Sequence, residues 1–128
     1  MKYYIEKVTN YTFDEAIEKV TEELKKEGFG VLTTINIQEK LKKKLDIDFR
    51  KYTILGACNP PAAYQALQAE DKIGTMLPCN VIVQETSDNK VEIAAVNPIA
   101  SMMAIENEDL GGIAIDIKNR LEKAIQAV

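Results

Sequence analysis

An α+β domain, built on one mainly antiparallel five-stranded sheet with helices packed on one face, is what this 128-residue chain predicts. Three observations carry that prediction. Several short segments alternate apolar and polar residues with period two, as strands do. Longer segments repeat apolar residues at helical spacing behind recognisable caps. Their order is strand, helix, two strands, helix, two strands, helix. The length suits a single domain, 1–128, large enough to bury one contiguous core without disulfide staples.

The first strand is "KYYIEKV", residues 2–8, with Tyr3 and Ile5 on one face and Lys2 and Glu6 on the other. Thr12 and Glu15 form a capping box, in which each side chain satisfies the other residue's backbone NH. Phe13, Ala16, Ile17, Val20 and Leu24 then make one apolar stripe, Glu15–Lys19 and Glu22–Lys26 are candidate pairs four residues apart, and Gly28 ends the helix. "FGVLTTINI", residues 29–37, is β-branched and reads as the second strand. It stops at Asn36, which with Glu39 suggests another capping box for a short helix through Leu45. "KYTILGAC", residues 51–58, is the third strand.

Asn59 caps the next helix, and Pro60 and Pro61 occupy its first turn, where a missing NH costs nothing. Alanines at 62, 63, 66 and 69 keep this helix slim enough for close packing. "PCNVIVQET" and "KVEIAAV" form a hairpin through Ser87, Asp88 and Asn89. Residues 108–128 make the last helix, capped by Asn107, with Glu108 and Asp109 in its acidic first turn. Its stripe is Leu110, Ala114, Ile117, Leu121, Ala124, Ile125 and Val128. Gly111 and Gly112 fall in its first turns, where they could admit an anion or a close-packed backbone, and close packing is the expected reason for them. "CNPPAAYQAL" and "VNPIASMMAI" echo one another as two Asn-Pro helix starts, which reads as recurrent capping and not as duplication.

Strands three and four are apolar at both parities, as in Leu55 against Ile54 and Val83 against Ile82. Such a sheet is poorly suited to leaving one face in water, so a homodimer through the second face is expected. The net charge of −4 disfavours nucleic acid and anionic membranes as partners. Residues 38–51 hold six basic and three acidic side chains, a local +3 against −7 elsewhere. This run reads as the solvated face of the short helix. No signal-peptide or membrane-spanning apolar run occurs, which predicts a cytoplasmic protein with reduced thiols.

The chain has no histidine, which removes an internal imidazole base and histidine metal sites. Walker, GxGxxG and HExxH motifs are absent too, so no cofactor and no metal are predicted. Asp46 and Asp48 lie in an open loop with nothing to raise a pKa, and no catalytic residue is assigned. What remains is a candidate ligand or thiol site at Cys58, Asn59, Cys79 and Asn80, two Cys-Asn dipeptides that use both cysteines. Cys58 precedes a helix N-terminus, where the dipole favours thiolate. Cys79 shares a face with Val81 and Val83 and is expected to be buried. Met76, Met102 and Met103 read as core, or as an adaptable surface.

"GACNPPAAYQAL", then "GTMLPCNVIV", then a hairpin strand ending in "NP" resembles the domain-of-unknown-function family numbered 302 over essentially the whole chain. The resemblance implies small α+β homodimers with a TBP-like two-layer arrangement and no established activity. Cys58, Asn59, Pro60, Ala63, Leu67, Leu77, Pro78 and Cys79 are its motif positions, without assigned roles, and it expects Asp more often where Asn97 stands. The reading that follows is a homodimeric binding module for an unknown small ligand or protein, not an enzyme. The alternatives are a thiol redox protein in which Cys58 attacks and Cys79 resolves, and a soft-metal binder using the two thiols with nearby methionines.

Overall fold

The computed structural model describes residues 1–128. Strands β1 (Tyr4–Thr9), β2 (Gly30–Asn36), β3 (Tyr52–Cys58), β4 (Cys79–Glu85) and β5 (Val91–Val96) form one sheet in the order β1-β5-β4-β3-β2. Every neighbouring pair is antiparallel. Helices α1 (Phe13–Lys26), α2 (Ile37–Leu45), α3 (Pro60–Ala69), α4 (Pro98–Ser101) and α5 (Asp109–Gln126) complete the fold. A single 3₁₀ turn, Ile73–Met76, joins α3 to β4. No helix is long and apolar enough to cross a membrane.

The helix stripes find their partners on one sheet face. Ala16, Val20 and Leu24 of α1 and Ile117, Leu121, Ala124 and Ile125 of α5 pack against Leu55, Ala57, Val81, Val83, Val91, Ile93 and Ala95. Alternation fixes this set, because a one-residue slip would turn every one of these strand side chains to the other face. The Thr12–Glu15 capping box forms as the sequence predicts, with Glu15 N donating to Thr12 Oγ1 at 3.2 Å and Thr12 N to Glu15 Oε1 at 3.1 Å. Glu15 is thereby occupied, and the ion pairs on α1 run Lys19–Glu22 and Lys26–Glu23 instead of the expected spacing of four. Asn36 caps α2 by accepting from Glu39 N at 3.0 Å, without the return bond of a full box. Helix α2 buries no residue, which suits its run of lysines.

Two glycines shape the sheet and its borders, for different reasons. Gly28, at φ 86°, turns the chain out of α1, and a Cβ there would lie 2.9 Å from Asn59 Nδ2. Gly56 lies under Thr33 and Pro78, where a Cβ would meet Thr33 Oγ1 at 2.2 Å and Pro78 Cγ at 2.8 Å. The close packing expected at Gly111 and Gly112 is not found: a Cβ at either would touch nothing within 4 Å.

The second sheet face carries Tyr4, Glu6, Tyr52, Ile54, Asn80, Ile82, Gln84, Glu92, Ala94 and Val96 by alternation. A polar row crosses one end of it, where Arg50 Nε donates to Gln84 Oε1 at 2.9 Å and Gln84 Nε2 to Glu92 Oε1 at 3.3 Å. Ile35, on the edge strand β2, and Val8, on β1, are exposed.

Candidate functional site

Antiparallel order makes β3 and β5 run the same way, so their C-terminal ends lie on either side of the start of β4. Each of these two strands leads into an Asn-capped, proline-started helix. Asn59 Oδ1 accepts from Ala62 N at 3.2 Å, and Asn97 Oδ1 accepts from Ile99 N at 3.1 Å. The echo in the sequence is thus one capping device used twice at the same end of the sheet. The Leu77–Pro78 peptide, which leads into β4 between them, is cis.

An apolar crevice opens at this end. Ala57 and Cys79 lie at its floor on the helix-facing side of the sheet, the alanines at 62, 63 and 66 of α3 line one wall, and Ile113, Ala114 and Ile117 of α5 line the other. Leu77, Pro98 and Met102 border it, with Cys58, Asn59 and Pro78 at the strand ends. The alanines that were expected to let α3 pack closely leave this space unfilled. Its volume is about 30 Å³, room for roughly two waters. No Asp, Glu, Lys or Arg side chain lines it, so it favours an uncharged, apolar occupant.

The structure brings Cys58, Asn59 and Cys79 to this crevice and leaves Asn80 out. Asn80 is exposed on the opposite sheet face, because each step along a strand reverses the side chain. Both polar groups of the Asn59 side chain are already engaged: Oδ1 caps α3, and Nδ2 donates to Glu27 O at 3.5 Å, joining the end of α1 to the start of α3.

The two thiols are free and differ in setting. Cys79 pairs in register with Ala57 and packs against the main core. Burial, with a smaller contribution from Cys58 nearby, pushes its thiol up to about 11. Cys58, one step beyond Ala57, has the opposite parity to Cys79 across the ladder. The register sets their Cα atoms roughly 6 Å apart, within disulfide range, and both thiols border the same crevice.

Met102 borders the crevice, whereas Met76 and Met103 are exposed, so the methionines do not form a common core. No group of three or more His, Cys, Asp or Glu side chains is arranged to hold a metal ion. Asp46 and Asp48 are solvent-exposed partners of Lys42. Sequence reasoning missed Met102, Ile113 and Ala114 as crevice residues, since they reach it from segments far away in the chain.

The family model described as "Domain of unknown function DUF302" matches residues 5–128. The chain belongs to this family. It is also similar to a solved structure, the uncharacterized conserved protein DUF302 from Bacillus stearothermophilus, with 31% identity, 98% of each chain covered and a TM-score of 0.92. No curated protein matches it. The DUF302 match spans the crevice and both sheet faces, and it brings no assigned activity.

Proposed function

We propose that this DUF302 protein is a homodimeric binding module whose ligand presents a small uncharged apolar group to the crevice at Cys58 and Cys79. The observation that carries this reading is the uncharged lining contributed by β3, α3, β4 and α5 around one opening. Xenon, a probe suited to dry apolar cavities, tests it. Under xenon pressure the amide resonances of residues 57–66, 77–79 and 113–117 are expected to shift, while those of α2 stay fixed. Equal small shifts throughout the chain would defeat the reading.

The open sheet face supports the dimer. Ile54, Ile82 and Val96 lie on it, with Arg50 and Glu92 in one polar row, so a two-fold-related copy can bring Arg50 opposite Glu92 of its partner. Sedimentation at micromolar concentration is expected to give twice the 14.3 kDa chain mass. Ile82→Glu is expected to return it to one. A strict monomer for the unaltered chain sinks this part of the proposal.

A thiol redox role is the second reading, favoured by the presence of both cysteines at the crevice. The high pKa of Cys79 opposes it, because the resolving thiol would be scarce as thiolate at neutral pH. Treatment with diamide, which takes two electrons from a thiol pair, decides it. Loss of both free thiols within one chain supports the reading, and their persistence rejects it.

A further inference from the structure

We infer that the outer edge of β2, over residues 33–36, takes an extended peptide as an added strand antiparallel to β2, with acidic residues of that peptide beside the lysines of α2. No residue of β2 lines the crevice, so the inference does not rest on the crevice as a binding site.

β2 is an edge strand, paired on one side only, with β3. Beyond that ladder no hydrogen bond reaches the backbone of residues 30–35, so its outward NH and C=O groups have no partner in the chain. Every residue of β2 except Val31 is exposed, and the strand carries neither charge nor proline, the usual means of keeping an edge from pairing with another chain. Its one irregularity is the bulge between Val31 and Thr33, which leaves Leu32 standing out and restricts regular pairing to residues 33–36. The opposite edge is guarded. There β1 carries Glu6, paired with Lys2, and Lys7, whose Nζ donates to Gln126 O at 2.7 Å.

The charge of the occupant follows from α2, which continues directly from Asn36. Lys42 is held by Asp46 and Asp48, at 3.0 and 3.4 Å, whereas Lys40, Lys43 and Lys44 are exposed and make no ion pair. Three free cations thus stand at the end of an open ladder, and an antiparallel segment meets them with the residues that precede its paired stretch. Lys43 also lines a hollow with Asn36, Gln38, Ile47 and Phe49, where a side chain of that segment can rest. Ile35 supplies apolar contact, being 40% exposed and paired with Ile54 across the ladder. Main-chain bonds then give the affinity and the lysines select the partner. A second copy of the chain fits the same edge less well. The carboxylates that precede β2 are already engaged, Glu22 by Lys19, Glu23 by Lys26 and Glu27 by Lys123, so a partner copy has none of these free to meet the α2 lysines.

A peptide of several glutamates followed by alternating threonine and valine, titrated into isotope-labelled protein, tests this by amide resonances and hydrogen exchange. The amides of residues 33–36 and of α2 are expected to shift while those of β1 stay fixed, and the outward amides of residues 33–36 to gain protection. Two forms of the peptide, N-methylated at alternate residues in one phase or the other, separate strand pairing from side-chain adhesion. One phase should abolish binding and the other leave it, because only alternate NH groups of an added strand point at β2. Lys40→Ala with Lys43→Ala and Lys44→Ala is expected to weaken the peptide roughly tenfold, and exchanging its glutamates for lysine to abolish binding. The inference is overturned if the amides of residues 33–36 do not respond, if both methylated forms bind alike, or if the triple variant binds at the parent affinity. It is overturned equally if those outward amides are protected in the free protein and lose protection on dilution, which would place a second copy on this edge. None of these readouts involves the crevice or Ile82, so the xenon and sedimentation results stand or fall separately.

Discussion

The molecule contains two packing regions of unequal strength. The main core joins α1, α5 and the sheet through fifteen buried residues, whereas the satellite core buries only Ala66, Ile73 and Leu110 between α3, the 3₁₀ turn and the start of α5. The main core gains from sheet alternation and two helix stripes meeting over a wide area. The satellite has no strand beneath it to supply an apolar floor. The crevice lies where the two regions adjoin, with Ala57 and Cys79 contributed by one and Ala66 and Met102 by the other. An opening at such a border can widen without disturbing the part that holds the fold.

Matched leucine deletions break or sharpen this contrast most strongly. Leu121→Ala removes a fully buried side chain from the main core and is expected to cost about 2–5 kcal/mol in chemical denaturation. Leu110→Ala, nearly as buried, is expected to cost no more than about 2 kcal/mol, at the low end of the same range, because its surroundings collapse more easily. Hydrogen exchange should show the Leu110→Ala loss confined to residues 99–112. Equal global losses from the two variants would show a single cooperative core.

Gly56→Ala tests the sheet where β3 lies against Thr33 of β2 and the Pro78 approach to β4. The new Cβ collides with Thr33 Oγ1 and Pro78 Cγ, and a loss of about 1–3 kcal/mol is expected by denaturation. Gly111→Ala, made beside it, should be tolerated or stabilising.

Asn97→Asp addresses the residue at which the family resemblance expects Asp. The buried Asn97 Nδ2 donates to Lys2 O at 3.1 Å, a bond that a carboxylate cannot make. A loss of about 1–3 kcal/mol is expected, from an acceptor left without its donor and a charge brought into a buried position. If Asn97→Asp matches the parent in stability, the tie between the chain start and the end of β5 contributes nothing.

The last effect concerns pH and appears only in alkaline solution. The Cys79 thiol rises from an ordinary 9.0 in the unfolded chain to about 11 when folded. Between these values the unfolded state has lost its proton and the folded state keeps it, so stability falls as pH rises from 9 to 11, by up to about 1.4 kcal/mol per pH unit. Below pH 9 the group leaves stability unchanged. Cys79→Ala should abolish this portion of the alkaline slope in pH-dependent denaturation, and an unchanged slope would show that the thiol is not held in its protonated form.

Sequence by itself determined the elements with strong local signals: the Thr12 box, the Asn59 and Asn97 helix starts, the hairpin around Asn89 and the apolar stripes of α1 and α5. These depend on contacts within a few residues or on a fixed period, and both are written in the order of side chains. Cys79 on the buried face was legible for the same reason. Only the tertiary structure decided that Asn80 faces away from the crevice, that the α3 alanines leave a space, and that Gly111 and Gly112 have no neighbour to accommodate. Each depends on which segments meet across large distances in sequence. Met102, Cys79 and Ala62 share an opening because the strand order β5-β4-β3 folds their segments to one end of the sheet, and nothing local encodes that meeting.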